Sequence, residues 1–247
     1  GRAWHRLVGN TASWSRHPEH AVRLEDVRAV LSVCFRGFGG EGTVQIAPAR
    51  GRTSTHRLRL RQRVGLGEEK LVQPGRDHAT LMLPGEIDLF ADRNLNRDLY
   101  VWLAAAMATM PLDQVVNDDP LRRDLAVLAR AEATAKAVLA AFPGLDRRYR
   151  RLCAATLEAR LKRPLPSIER HVENRILSLL KRGAGIADDT LPVIFPHRAP
   201  PGYLPMLPVP LWPDARLRAD GEGRGEDDQP AAGDHPQAPE TGRHIAQ

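Results

Sequence analysis

The segment NLNRDLYVWLAAAMATM, from Asn94 to Met110, decides what kind of protein this chain forms. Its apolar residues recur three and four places apart, which predicts one face of an α-helix: Leu99, Trp102, Leu103, Ala106, Met107 and Met110. The apolar run is shorter than the roughly 20 residues that cross a bilayer. Asn94 or Asn96 is expected to cap the first turn. The segment is therefore predicted to be a core helix that buries Trp102 rather than presenting it to a partner.

Four further segments carry helical patterns, namely Leu24–Phe38 and the stretches that begin at Asp119, Asp146 and Ser167. Residues 43–84 differ, because short apolar runs alternate there with Gly and Pro. Within them, HRLRLRQRV (56–64) places arginine on one face of a strand and apolar residues on the other. This region is predicted to be a small antiparallel β-meander that packs on the helices. The expected fold class is α+β and mostly α, with a helical bundle-like body.

The chain changes character after the last helical pattern. Residues 191–213 alternate proline with large apolar residues, which predicts an extended strap and excludes a regular helix. Residues 214–247 hold eight acidic residues and four arginines, so they are predicted to form a disordered acidic linker. Residues 1–212 are predicted to form one α-rich domain that includes the strap.

Charge is unevenly distributed along the chain. The net charge is +6, and the acidic tail contributes −4, so the body before it carries +10. A basic body suggests an acidic partner, such as nucleic acid, an anionic membrane or an acidic protein surface, although ordinary solvated charge is the alternative. The candidate protein-binding residues are Arg57, Arg59, Arg61, Arg63 and Trp212. The alternatives are solvent exposure for the arginines and packing over the helices for Trp212.

Sequence motifs for common catalytic chemistries are absent. The chain contains no G-x-x-x-x-G-K-[ST], G-x-S-x-G, H-E-x-x-H or C-x-x-C. Cys34 and Cys153 lie in apolar helical patterns and are expected to be buried free thiols. No catalytic, cofactor-binding or metal-binding residue is therefore predicted. The first residues show no apolar signal sequence, which favours a cytoplasmic location.

Three stretches together resemble the N-terminal region of the NorD/CbbO family. They are HRLRLRQRVGLGEEKL (56–71), LMLPGEIDLFADRNLNRDLYVWLAAAMA (81–108) and GYLPMLPVPLW (202–212), which precedes the acidic linker. Members of this family are von Willebrand factor A-domain proteins that partner MoxR-type AAA+ ATPases. The A domain carries a metal-binding D-x-S-x-S motif, which this sequence lacks. The resemblance implies an A domain after residue 247, with a divalent metal expected only there.

The resemblance implies that this chain is a non-enzymatic adaptor. It would bind a hexameric MoxR-type ATPase ring, of the NorQ or CbbQ kind, and help to activate a client enzyme. The client would be nitric oxide reductase or Rubisco, and residues 56–71 look more like the nitric oxide reductase side of the family. Two contacts joined by a flexible linker, one to the ring and one to the client, would reinforce each other through avidity.

Two other classes of function stay open at this point. A basic nucleic-acid-binding module would explain the arginines, although the arginine face of residues 56–64 lacks the aromatic residues on which bases stack. A hydrolase with an unrecognised site would require a deep pocket in which titratable side chains converge.

Overall fold

Five α-helices and five short β-strands make up the chain where the computed structural model describes it, at residues 14–49, 74–112, 118–191 and 193–213. The helices are α1 (Leu24–Gly37), α2 (Arg93–Thr109), α3 (Pro120–Ala141), α4 (Asp146–Ala159) and α5 (Ser167–Ala184). The strands are β1 (Val22–Arg23), β2 (Gln45–Pro48), β3 (Gly75–Arg76), β4 (Thr80–Leu83) and β5 (Glu86–Ile87). The predicted fold class, α+β and mostly α, is confirmed.

Helix α2 lies at the centre of the body, where it packs against α1, α3 and α4. Its apolar face is buried, and Trp102 belongs to the core, as the periodicity predicts. The predicted cap is wrong. The carboxylate of Asp92 accepts a hydrogen bond from the amide of Asn94 at 2.8 Å, because the helix begins at Arg93 and leaves Asp92 at the capping position.

Asn96 joins two segments of chain at the start of α2. Its Oδ1 accepts from the amide of Phe90 at 3.0 Å, and its Nδ2 donates to the carbonyls of Phe90 and His20, each at 2.9 Å. The side chain is fully buried, so these bonds replace the water that its amide group loses. One helical residue thereby ties the segment before α2 to the segment before β1.

The later helices begin and pack largely as their sequence patterns predict. Asp119 caps α3 by accepting from the amide of Arg122 at 3.0 Å, and Pro120 is the first helical residue. Helices α4 and α5 cross closely at Gly183, where a Cβ atom would lie 2.5 Å from Sγ of Cys153. Burial raises the pKa of the Cys153 thiol to about 12. Cys34, by contrast, is only half-buried, which corrects the prediction of two buried thiols.

The strands form two small sheets, and one pairing differs from the predicted meander. Strands β1 and β5 pair antiparallel, and so do β3 and β4. Strand β2, however, lies parallel to β4, with Ile46 opposite Leu81. A parallel pair requires a crossover connection of a dozen or more residues, and the chain between β2 and β4 is long enough to provide one. The predicted strand at residues 56–64 lies outside the described residues.

Trp102 joins α2 to both α4 and the strap. Its ring stacks on Tyr149 with 4.1 Å between ring centroids. Its Nε1 donates to the carbonyl oxygen of Leu211 at 2.8 Å. Replacing Trp102 with alanine is expected to lower the free energy of unfolding by about 3–5 kcal/mol, because a large buried ring is lost and a carbonyl is left unpaired. Urea denaturation followed by circular dichroism would measure this loss.

The substitution Trp102→Phe separates the two contributions. It keeps an aromatic ring against Tyr149 but removes the donor to Leu211, so a smaller loss of about 1–3 kcal/mol is expected. Leu161→Ala, at a half-exposed position, serves as the control and should change stability by less than about 1 kcal/mol. An unchanged urea midpoint in Trp102→Ala would contradict the central position of this residue.

Candidate protein-binding surface

The proline-rich strap is seated on the helices by three carboxylates. Asp119 accepts from the amide of Ala199 at 2.8 Å, and Glu169 accepts from the amide of Leu204 at 3.1 Å. Asp124 accepts both the amide of Met206 and the hydroxyl of Tyr203, each at 2.8 Å. Asp119 and Asp124 lie at the start of α3, and Glu169 lies in the first turn of α5. The two helices therefore supply acceptors for backbone amides that have no sheet or helix of their own.

Three side-chain donors bind the carbonyls of the same strap. Nε of Arg122 donates to His197 at 2.9 Å, and Nη2 of Arg160 donates to Leu207 at 3.3 Å. The third is the indole of Trp102, which donates to Leu211. These contacts run from His197 to Leu211, and Tyr203, Val209 and Leu211 are buried along that part of the strap. The part of the strap after His197 is thus a layer of the fold.

Asp124 is the most strongly perturbed carboxyl of this arrangement. Burial raises its pKa from 3.8 to about 6, and the bonds from Met206 and Tyr203 only partly oppose that shift. Burial and then the charge of Asp124 raise the pKa of Tyr203, so the phenol stays protonated and donates. A carboxylate that is buried against the strap is therefore charged at neutral pH at some expense of stability.

The raised pKa of Asp124 sets a direction for the pH dependence of stability. The folded chain binds this proton more tightly than the unfolded chain, so the stabilisation is complete below about pH 4 and is lost as pH rises through about 6. The loss should be on the order of 2–3 kcal/mol. In Asp124→Asn, which retains an acceptor and has no charge, the slope of unfolding free energy between about pH 4.5 and pH 7 should flatten.

Asp188 is the other carboxyl with a strongly shifted pKa, and it titrates in a different pH range from Asp124. Hydrogen bonds from Ser178 and then Thr190 lower its pKa to about 2, so its contribution is present above about pH 4 and is lost only as pH falls toward 2. The two groups thus act in separate pH windows. Equal slopes for the wild type and Asp124→Asn in urea titrations would contradict the assignment to Asp124.

The structure places Trp212 inside the fold. Its side chain is 8% exposed and lies with Trp102, Met110 and Ala131 around a cavity of about 10 Å³. That is room for about one water molecule, and no ionisable side chain lines the cavity. Packing over the helices, the alternative left open by the sequence, describes the position of Trp212. The indole is not available as an anchor for a partner while the strap is seated.

The other predicted binding residues, Arg57, Arg59, Arg61 and Arg63, lie outside the described residues. Elsewhere, several arginines that a sequence would assign to a basic outer surface are paired. Arg148 lies 3.2 Å from Asp98, Arg151 lies 3.1 Å from Asp92, and Glu132 is shared by Arg175 and Arg182 at 2.8 and 2.9 Å. Arg160 is buried and paired with Glu173. These arginines are locally compensated and are therefore less available to an anionic partner.

An apolar surface follows α5, in contrast to the charged surfaces of the helices. We call it the exposed arm and define it as residues 186–191 and 193–197. Its large apolar side chains point into solvent, with Leu191 81% exposed and Ile194 97% exposed. Ile186 and Val193 are exposed as well, at 47% and 40%. A second and smaller apolar patch on α1 comprises Val30 and Val33. Clustered apolar side chains in water are typical of protein interaction sites.

Polar contacts hold the exposed arm at both ends. At its start, the carboxylate of Asp188 binds the hydroxyl of Ser178 and lies 3.3 Å from Nη1 of Arg182, while Thr190 donates to it at 2.6 Å. At its end, Arg122 holds the carbonyl of His197. The arm is thus tethered to α5 on one side and to α3 on the other, with apolar residues presented between the two points.

The sequence pattern by itself does not single out this arm. It assigned residues 191–213 to one strap, whereas the described structure divides them into an exposed part before His197 and a seated part after it. The signal that could have separated them is the run of three large apolar residues at 193–195, without an alternating proline. The seated part, by contrast, contains tyrosine and tryptophan that can hydrogen-bond while buried.

The described ranges lack the features of other site classes. No group of three or more His, Cys, Asp or Glu side chains is arranged there to hold a metal ion. None of the helices within those ranges is both long and apolar enough to cross a membrane. The described part of the chain is thus an α-rich domain with an exposed apolar arm.

Comparison with known proteins finds relatives over the whole length of the chain. The chain is 61% identical, over its whole length, to Protein NorD of Brucella abortus (strain 2308) and is 30% identical, over 94% of its length, to Protein NorD of Stutzerimonas stutzeri. An uncharacterized protein of Pseudomonas aeruginosa is 29% identical over 94% of the chain. The chain is thus similar over its whole length to the N-terminal part of Protein NorD, which is consistent with a NorD family region.

The match covers only part of each relative. The chain spans 39% of the Brucella abortus protein and 36% of the Stutzerimonas stutzeri protein. No family model matches the chain, and no solved structure matches it.

Proposed function

We propose that this chain is the ring-binding part of a non-enzymatic adaptor that serves the activation of nitric oxide reductase in the cytoplasm. Its partner would be the hexameric ring of a MoxR-type AAA+ ATPase. The proposal joins the NorD relatives to the geometry of the surface. Binding would supply the ring with a link to its client, and ATP hydrolysis by the ring would supply the work.

The observation that carries the proposal is the exposed arm. Leu191 and Ile194 are more exposed than the other large apolar residues of the described ranges, and hydrogen-bonded contacts hold the chain on both sides of them. A side chain that is rigidly presented loses little conformational entropy when a partner binds it. The arm is therefore suited to binding, and the closed cavity beside Trp212 gives no support to an alternative role as a hydrolase.

The names of the relatives support one client over the other. Protein NorD is the name shared by the relatives from Brucella and Stutzerimonas, and the family resemblance associates NorD with nitric oxide reductase. We therefore propose nitric oxide reductase as the client and retain Rubisco as the alternative. Any divalent metal of the adaptor is proposed to lie in an A domain, as the family resemblance implies.

A nucleic-acid-binding module is the second candidate, and the overall charge is the observation that favours it. Ion pairs on the helices weaken the case for nucleic-acid binding. Arg151, Arg175 and Arg182 each lie within 3.1 Å of a carboxylate oxygen, so their charges are locally compensated. Binding to phosphates would have to compete with those carboxylates. Such binding would also weaken steeply with added salt, because each phosphate contact releases a counterion.

A direct binding experiment tests the proposed function. Purified chain is titrated into the MoxR-type ATPase of the same genome, without nucleotide, with ADP and with a non-hydrolysable ATP analogue, and binding is followed by calorimetry. We expect saturable association with the assembled ring, with an affinity that depends on the nucleotide. A linked change in ATPase rate is the second readout.

Two controls give this experiment its specificity. A basic protein of similar size and charge should not bind, because the contact is proposed to depend on a folded apolar surface rather than on net charge. Single-stranded RNA and duplex DNA are titrated into the same sample. A folded chain that ignores the ring but binds nucleic acid with strong salt dependence would overturn the adaptor in favour of the second candidate.

A further inference from the structure

The helices recognise the seated part of the strap mainly through its backbone. Carboxylates of α3 and α5 accept the amides of Ala199, Leu204 and Met206. Side-chain donors bind the carbonyls of Leu207 and Leu211. We call the side chains that make these contacts the seat, and they are Trp102, Asp119, Asp124, Arg160 and Glu169. All of them precede the strap in the sequence, so the seat can hold the same segment of another copy equally well.

The connection between α5 and the seated part is much longer than its path requires. Helix α5 ends at Ala184, and Glu169 in its first turn holds Leu204, so the chain returns along α5 by about 22 Å. Twenty residues separate Ala184 from Leu204, and they can span about 65 Å when extended. Within the described ranges 187–191 and 193–199, no backbone-to-backbone hydrogen bond fixes this connection. The seated part is therefore able to reach the seat of a neighbouring molecule.

Two charges of opposite sign are placed symmetrically along this connection. Asp189 lies four residues before Val193, and Arg198 lies four residues after Ile194. Both charged residues are exposed, and neither has an ionic or hydrogen-bonding partner within the part of the chain that the structure describes. When two copies run antiparallel about a twofold axis, the acidic end of each connection faces the basic end of the other. A second copy thus supplies the partners that one chain lacks.

We propose that two copies of this chain exchange the seated parts of their straps, so that the seat of each copy holds the strap of the other. The dimer keeps the contacts of the seat, because the same side chains meet the same backbone. It adds two ion pairs, each between Asp189 of one copy and Arg198 of the other. Because the tethered strap has an effective concentration of about a millimolar, the monomer dominates in dilute solution. The exchange goes beyond the proposed function, since it requires neither an ATPase ring nor a nucleotide.

Cross-linking in the full chain reports which copy's strap fills the seat. Asp119→Cys and Ala199→Cys are combined in a Cys34→Ser background, because one aspartate side chain and a 2.8 Å hydrogen bond separate the two positions. Cys153 is buried and is left in place. The chain is refolded from urea at about 10 µM and at about 1 mM, and a short bifunctional thiol reagent is added. We expect cross-links within one chain at the lower concentration and between two chains at the higher one.

Charge reversal tests the contact between the two copies. Asp189→Arg and Arg198→Asp should each weaken dimerisation at least about threefold, because each places like charges opposite one another at two positions of the dimer. Light scattering after chromatography of the chain refolded at the higher concentration would measure this loss. Combining the two reversals should restore the dimer. Arg28→Asp, at an exposed position on α1, is the matched control and should leave dimerisation unchanged. Equal thermal midpoints would show that the variants fold.

Each remaining outcome decides for or against the exchange. Cross-links that stay within one chain after refolding at the higher concentration would overturn it, even if the chain dimerises, because the copies would then meet through another surface. Single-cysteine variants that give the same products, or a pair that gives none, would overturn it as well. Failure of the double reversal to restore the dimer would contradict the twofold arrangement. Cross-links between chains together with that restoration would support the exchange. None of these results bears on binding to the ATPase ring.

Discussion

A buried backbone without secondary structure must find partners for its polar groups among side chains, and this constraint shapes the whole domain. The seated part of the strap cannot form a helix or a central strand, since proline recurs through it. Its amides and carbonyls nevertheless lie against a closed apolar core. Helices α3 and α5 resolve the conflict by supplying Asp124 and Glu169, two buried acids that would otherwise destabilise the interior.

Helix α2 connects this constraint with the rest of the fold. Near its start, Asn96 binds backbone groups on either side of the small β1–β5 sheet, and further along, Trp102 binds the strap. Both residues are polar groups within an apolar face, and both are fully bonded. A plain apolar residue at either position would fill the space and leave a backbone carbonyl without a donor. The helix therefore specifies which segments pack upon it as well as burying them.

The sequence predicts those features that depend on local periodicity. The apolar stripes of α2 to α5 and the cap of α3 are readable because each is determined within a few residues. The parallel pairing of β2 with β4 is not readable, since it depends on the path of an intervening segment. The role of Asp92 is missed by two residues, because asparagine and aspartate are both good caps and three of them alternate at residues 92–96.

The environments of two residues at the candidate surface could not be predicted from the sequence either, because they depend on contacts with distant segments. Trp212 resembles an exposed anchor in sequence, because nothing local reveals that its neighbours on α2 and α3 will enclose it. Asp124 likewise resembles an ordinary polar position on a helix until the strap is placed against it. Contacts between distant segments decide both cases, whereas the exposure of Ile194 results from the absence of such contacts.

The division of the strap into an exposed arm and a seated part has a consequence for binding. The seated part stabilises the fold through Ala199, Leu204 and Met206, whose amides are all bonded to helix carboxylates. The arm lies before these contacts and uses none of them. A partner could therefore bind Leu191 and Ile194 without displacing the strap, so the free energy of that contact would not be spent on opening the core. Because the arm is tethered to α3 and α5, a partner bound to it would be held beside those helices.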